Sequence, residues 1–446
     1  MKNLFKKLVV FIITLQARAT LRKYKPKIVA ITGSVGKTST KDAIYAVLAK
    51  SYRVRKSEKS FNSEIGLPLT ILGVPNAWNN PFRWLQNIID GIFILVFTVQ
   101  YPEWLVLEVG ADRPGDIRVL AKWLPVDIAV ITLLPEMPVH VEFFDSPEAV
   151  IEEKAALLDA VKPRGTIVLF ADDPRTLNLQ HRLPARDARI ITFGFSKGSD
   201  VHGEHFEILY ETERLNLPVG IRADISTKWG ALPIKIIGAI GAHAFFPVLA
   251  AAAVGMTLNK PLGDIVGALE SYDPPPGRMR LLRGVKETLI IDDSYNSSPA
   301  ATMAALDTLA LIQGVALTPR LSKATPLRRI AVLGDMLELG RHSTQEHRKI
   351  GEQVAKIADL LITVGFRARD IAAAALDNGM PDNAILQFED SGKAGAELQN
   401  LIKEGDCVLI KGSQSMRMER VVEEIMAEPE RAAELLVRQD AEWKRR

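Results

Sequence analysis

Gly33-Ser34-Val35-Gly36-Lys37-Thr38-Ser39 places two glycines, a lysine and three hydroxyls on one short stretch. That is the equipment of a phosphate-binding loop: glycines let backbone N–H groups turn inward, and a following helix points its positive end at the anion. Lys37 would contact the β and γ oxygens of a nucleotide, and the Thr38 hydroxyl would hold Mg²⁺. The loop is a shortened form of the common pattern, with two residues rather than four between the first glycine and the Gly-Lys pair. Its setting separates it from a chance glycine turn, because "KIVAITG" (27–33) reads as a β-branched strand and 37–51 has helical spacing around Ile44 and Leu48. Glu108 ends the apolar stretch "EWLVLE", so its carboxylate should emerge at the carboxyl edge of a sheet, and hard oxygen of this kind suits Mg²⁺. His140, in "PVHVEFF", follows another strand, and Lys154 lies fourteen residues later in a helical stretch. Type and spacing alone do not distinguish these two from a structural histidine and a solvated lysine.

The elements that must position these groups alternate. Short apolar runs at 103–111, 126–134, 165–173 and 189–195 are separated by helical stretches such as 147–161, which predicts a mostly parallel, doubly wound sheet. From about 200 to 235 shorter alternating segments predict a β-rich excursion, and 241–256 reads as a small-residue helix packed closely on a sheet. "SYDPPPGRMR" (271–280) is the best linker in the chain. Beyond it a second alternating series, at 288–296, 328–336, 360–365 and 407–413, predicts a smaller α/β domain.

At 446 residues, 47% hydrophobic and 24% charged, the chain has the make-up of a folded protein of two or three domains. A net charge of +3 gives no global argument for nucleic acid as a partner. The single cysteine, Cys407, excludes an internal disulfide and a cysteine-based zinc cluster, which fits a reducing, cytoplasmic compartment. Lys2, Lys6, Lys7, Arg18, Arg22, Lys23, Lys25 and Lys27 precede the loop with no acidic residue among them. Residues 2–19 have the charged start, apolar run and Ala-x-Ala end of a secretory signal, but cleavage there would export a nucleotide site away from ATP. The run Leu8 to Leu15 is shorter than the about twenty residues needed to cross a bilayer. Two placements stay open for it: a basic helix on a membrane surface, or a helix packed on the first domain. A second apolar stretch, at 75–102, carries Trp78, Trp84 and the run Gly91–Val99, interrupted upstream by Arg83, Gln86 and Asp90. It too reads either as an interfacial helix or as a buried one.

The blocks "ITGSVGKTSTKD", "NSEIGLPLTIL", "LEVGADRPGDI", "HVEFFDSPEAVIEEKAAL", "GRMR", "IIDDSYNSSPAATMAAL", "VLGDMLELG" and "VLIKGSQSMRMERVV" occur in the order found in Mur ligases. The chain resembles that family over about residues 27–425, and "DDSYN" with "GDMLELG" is similar to the branch that adds D-alanyl-D-alanine to a muramyl tripeptide. The resemblance implies a P-loop central domain with a mostly parallel sheet, a smaller Rossmann-like C-terminal domain, and ATP and Mg²⁺ as cofactors. The expected division is a basic apolar helix at 1–26, the central domain at 27–272 with the insertion at 75–102, and the C-terminal domain at 273–446.

The same resemblance assigns roles. Gly33, Ser34, Gly36, Lys37, Thr38 and Ser39 would cradle the ATP phosphates, with Arg278, Asp293 and Asn296 reaching the nucleotide from the C-terminal domain. Thr38, Glu108, His140 and Lys154 would serve the metal, Lys154 as a carbamylated lysine; Lys37, His140 and Lys154 are the implied catalytic groups. Asn62, in "SFNSEIG", matches a position near the growing peptide. Three departures accompany it. Relatives carry a UDP-gripping domain before the loop, where this chain has only the basic apolar segment. Pro247 stands where an asparagine often reads adenine, and Gln414 follows "KGS" where arginine is common. The expected activity is ATP-dependent amide formation through an acyl phosphate, in the cytoplasm and at the inner membrane surface. A Mur-like ligase acting on a different or lipid-linked carboxylate, and a non-catalytic ATP-binding scaffold, are the alternatives.

Overall fold

The computed structural model describes residues 2–58, 64–78, 80–182, 187–211, 217–312, 327–440 and 443. Two sheets lie on either side of the proline-rich segment. The first has nine strands in the order β2-β3-β1-β4-β5-β6-β7-β8-β9. They are β1 (Lys27–Thr32), β2 (Val54–Lys56), β3 (Trp104–Glu108), β4 (Val126–Ile131), β5 (Val161–Phe170), β6 (Arg189–Gly194), β7 (Val201–Tyr210), β8 (Pro218–Thr227) and β9 (Gly230–Ile237). Pairings from β2 through to β7 are parallel, while β7–β8 and β8–β9, which make up the predicted β-rich excursion, are antiparallel. The switch has a simple cause: β8 and β9 are joined by a tight turn at Lys228 and Trp229, which only antiparallel strands permit.

The helices of this half are α1 (Lys2–Tyr24), α2 (Lys37–Ala49), α3 (Gly66–Leu72), α4 (Pro81–Val96), α5 (Asp116–Ala121), α6 (Pro147–Ala155), the single turn α7 (Pro174–Leu177), α8 (Phe246–Thr257) and α9 (Leu262–Leu269). Successive residues of β1 point to opposite faces of the sheet. Val29 and Ile31 join a core with α2 and α8, and Ile28 and Ala30 join a core with α1, α3 and α4. The predicted small-residue helix is α8, where Ala250 to Ala253 are fully buried and let the backbone approach the sheet and α2. The insertion folds as α4, started by Asn80, whose side chain accepts hydrogen bonds from the N–H groups of Phe82 and Arg83 with Pro81 at the first turn.

The second sheet has the order β10-β11-β15-β12-β13-β14. Its strands are β10 (Arg280–Arg283), β11 (Leu289–Asp293), β12 (Arg329–Gly334), β13 (Leu360–Val364), β14 (Ile385–Phe388) and β15 (Cys407–Lys411). Only β10–β11 is antiparallel. Helices α10 (Pro299–Leu311), α11 (Ser343–Ile357), α12 (Arg369–Asp377), α13 (Ser391–Leu401) and α14 (Glu419–Ile425) complete it. β10 and β14 were not read from the sequence; both are short edge strands, β10 with one buried residue and β14 with none, so neither carries the signal of a buried strand. The segment after the prolines is tied back to the first sheet, since Leu281 N donates to Gly238 O at 2.9 Å and Ile240 N to Met279 O at 3.1 Å. Among the described residues no helix is long and apolar enough to cross a membrane.

Candidate active site

The phosphate loop leaves the carboxyl end of β1 and enters α2. Gly36 occupies the N-cap of α2 with φ 84°, and Gly33 has φ 142°, both in the region that disfavours side chains. A side chain on Gly33 would also overlap the hydroxyl of Thr132, which itself donates to Val35 O at 2.8 Å and pins the loop to the end of β4. In β1–β3 pairing Ile31 lies opposite Glu108, so Glu108 reaches the same sheet edge as the loop. Thr38 Oγ1 donates to Glu108 Oε2 at 3.0 Å, and both residues are buried.

Two lysines converge on the same turn. Lys37 Nζ donates to Gly33 O at 2.9 Å, while Lys154 Nζ donates to Gly33 O at 3.2 Å and to Ser34 Oγ at 3.1 Å. Burial pulls the Lys37 ammonium below its ordinary pKa, against the opposing charge of Glu108. Burial and then the neighbouring Lys37 push Lys154 well below the ordinary lysine range. Lys154 is held there by α6, whose N-cap Ser146 accepts from Ala149 N. Glu153, beside it and 1% exposed, accepts from Ile117 N and Arg118 N and so fastens α6 to the start of α5.

The second sheet supplies the opposite wall. β11 and β15 set Asp293 opposite Lys411, and their side chains meet at 2.5 Å. Lys411 also donates to Asn296 O at 2.9 Å, and Asp293 Oδ1 accepts from Met279 N at 3.2 Å. Arg278 lies with its guanidinium 4.0 Å from the centre of the Tyr295 ring and donates to Thr38 Oγ1 at 3.3 Å, linking the linker region to the loop. A slot between the sheets is lined by Ser34, Gly36, Ser39, Arg278, Asp293 and Asn296. An apolar end, formed by Phe170, Phe193, Phe246 and Pro247, adjoins it. On the other side the slot opens into a cleft of ≈ 760 Å³ that includes Lys37, Glu108, Asp112, His140, Glu338 and Trp443.

His140 reaches this cleft with its backbone at φ 70°, and its ring nitrogens lie beside two carboxylates. Nδ1 lies 2.6 Å from Glu338 Oε2 and Nε2 3.7 Å from Asp112 Oδ1. Asn62 lies outside the described residues. Among the described residues no cluster of three or more His, Cys, Asp or Glu forms a ready metal cage. What is present is one hydroxyl, separate carboxylates and an imidazole, a donor set that fits Mg²⁺ taking the rest of its shell from phosphates and water.

Residues 31–255 match the Mur ligase middle domain and residues 277–414 the Mur ligase glutamate ligase domain. The chain belongs to the Mur ligase family. It is similar to the UDP-N-acetylmuramoyl-tripeptide–D-alanyl-D-alanine ligase of Bacillus subtilis, at 28% identity over 93% of this chain and 79% of that one. The ligase of the same name from Mycobacterium leprae is 30% identical over 87% of this chain and 71% of its own length. Among solved structures, the MurF ligase of Thermotoga maritima in complex with ADP superposes with a TM-score of 0.72 at 27% identity, covering 93% of this chain and 83% of that one.

In this Mur ligase the cleft is not the most voluminous depression. A wider depression of ≈ 960 Å³ lies over β6, β7 and β8 around Asp200, His202 and Lys228, with none of the phosphate-loop residues in its walls. The residues missed from sequence are Lys411, Tyr295, Asp112, Glu338 and Trp443. Lys411 was the findable one: it and Asp293 each end a buried strand, and adjacent parallel strands would bring their charges together. Glu338 and Trp443 had no such signal, because their place in the cleft depends on how the two sheets meet. The departures are also located. Pro247 belongs to the apolar end of the slot beside His243, whose pKa burial lowers to about 4, and Gln414 lines the wide cleft.

Proposed function

We propose that this Mur ligase joins D-alanyl-D-alanine to the terminal carboxyl of a muramyl tripeptide, consuming ATP and releasing ADP and phosphate. The observation that carries the reading is that Ser34, Gly36 and Ser39 of the phosphate loop share one slot with Arg278 and Asp293 from beyond the linker, and that this slot opens into the cleft holding Lys37, Thr38 and Glu108, with Arg278 bonded to Thr38. The relatives named for this activity support the choice of substrates.

In this reading Gly33 to Ser39 cradle the phosphates with backbone N–H groups, and Lys37 turns from Gly33 O to the β and γ oxygens. The substrate carboxylate attacks the γ-phosphorus, the bond to the bridging oxygen breaks, and an acyl phosphate and ADP result. Positive charge from Lys37 and Arg278 offsets the charge spread over the transferring group. The amine of D-alanyl-D-alanine then attacks the acyl carbon, phosphate leaves, and the amine's proton passes to solvent or phosphate. Thr38, Glu108 and His140 would hold Mg²⁺, which when bound supplies further charge neutralisation at the phosphates. Lys154 joins them as a carbamate, formed when its neutral amine adds to CO₂ and loses a proton; the burial that lowers its pKa keeps that amine neutral. The proposed domains, 27–272 and 273–446, close over the acyl phosphate to exclude water, with 273–276 as the hinge.

The test is phosphate release from Mg-ATP by the purified full chain, with UDP-muramoyl-tripeptide and D-alanyl-D-alanine supplied separately and together. Release that requires both, with a product of pentapeptide mass, is the expected result. Release with a different amine, or none with this pair, would overturn the substrate assignment.

A further inference from the structure

α4 has its amphipathic pattern turned outward. Trp84, Asn87 and Gly91 face the protein, whereas Phe82, Leu85, Ile89, Ile92, Phe93 and Val96 are all about half exposed or more, Phe82 at 81%. At 100° per residue these six positions fall on one face of the helix. A helix in a water-soluble core presents the reverse arrangement.

α1 repeats the pattern beside it. Val9, Ile13, Ala17 and Leu21 are buried, while Leu8, Phe11 and Leu15 are exposed along the opposite stripe, which continues into Arg18 and Arg22. The two helices are locked together side by side. Gln16 Nε2 donates to Ile88 O at 2.8 Å, and a side chain on Gly91 would run into Gln16. Further along, Lys23 Nζ donates to the carbonyls of Ile94, Leu95 and Phe97, and Tyr24 OH donates to Ile94 O at 2.9 Å. Both apolar stripes therefore belong to one rigid unit on a single side of the sheet.

We propose that α1 and α4 together form a docking platform for an anionic lipid bilayer, lying in its interface. Charge selects this occupant. α1 carries Lys6, Lys7, Arg18, Arg22 and Lys23 and no acidic residue, and the one acid of α4, Asp90, is already bonded by Gln86 at 2.8 Å. Phosphate headgroups neutralise such a rim, whereas a second copy docked on the same face would bring two basic helices together. Neither helix is long and apolar enough to span the bilayer, so the platform rests on its surface. This inference is independent of which substrates the ligase joins.

The experiment is flotation of the full chain with vesicles of phosphatidylcholine alone or mixed with phosphatidylglycerol. The protein should float with the phosphatidylglycerol vesicles and lose binding to neutral vesicles and at high salt. The triple variant Lys6→Gln, Lys7→Gln, Arg22→Gln should lower partitioning by about 100-fold, roughly fivefold per removed charge. The triple variant Leu85→Gln, Ile89→Gln, Ile92→Gln should abolish it while leaving circular dichroism and ATP turnover unchanged, because these side chains are half exposed and line neither the slot nor the cleft. Failure to float with anionic vesicles, or equal binding to neutral ones, would overturn the proposal. So would light scattering that shows a dimer dissolved by the apolar variant without any vesicle binding.

Discussion

Individual side chains around the loop divide into those that handle phosphate and those that set the local charge. Lys37→Ala should lower phosphate release by at least about 100-fold with little change in folding, since the lost interaction acts on the transferring group. Lys154→Arg should be as damaging, because arginine remains charged and cannot form a carbamate. Carbon-13 NMR in labelled bicarbonate should show a carbamate signal in the wild type that the Arg variant lacks; an unchanged spectrum would remove the carbamate from the mechanism. Asp292 offers a different test. It is fully buried, its Oδ2 has no hydrogen-bond partner among the described residues, and burial raises its pKa to about 6 from 3.8. A raised folded pKa favours the protonated form, so its contribution is full below 3.8 and lost as pH rises through about 6. Asp292→Asn imitates the protonated acid. It should raise unfolding stability at about pH 8 by an amount on the order of 3 kcal/mol, read as a higher thermal midpoint, and the gain should shrink by about pH 5.

At the level of elements, the loop works because a strand and a helix meet through two glycines in conformations closed to other residues. Gly33→Ala brings a methyl group onto the Thr132 hydroxyl and strains a backbone at φ 142°. ATP affinity, measured by calorimetry, should fall by at least about tenfold, and adding Thr132→Ala should recover only part of it, because the backbone strain of about 1–2 kcal/mol remains. Full recovery would mean that space alone was limiting. The loop, β1, β3 and α2 were legible in the sequence because β-branched runs, a glycine pair and helical spacing are local signals. For the two apolar stretches the sequence left buried and interfacial placements open. Packing on the first domain is what the structure shows: each helix buries one stripe there and exposes another, and which stripe is which depends on the neighbour it packs against.

For the whole molecule, three polar ties among the described residues cross beside the slot, in addition to the backbone bonds at Gly238 and Ile240. Arg278 reaches Thr38, Glu142 N donates to Glu338 O at 3.2 Å, and His140 pairs with Glu338. The carboxyl of Glu338 is held below the usual range by His140 and is about two-fifths exposed, so the pair is a modest contribution of up to about 1 kcal/mol. Glu338→Gln should shift the unliganded chain toward a more open form by up to about fivefold, seen as a larger radius of gyration in small-angle scattering. An unchanged radius would show that this pair does not hold the sheets together.

By itself, the sequence determined the two-part α/β organisation, the phosphate loop and, through ordered blocks, the Mur ligase resemblance. These are written in short windows, where local periodicity and turn chemistry dominate. Only the tertiary structure decided that Lys154 is buried against Ser34, that Lys411 meets Asp293, that Glu338 holds His140, and that two apolar faces stand side by side in solvent. Each depends on surfaces separated by many residues meeting in space, and burial, which sets the pKa shifts and the exposed faces alike, is a property of that meeting.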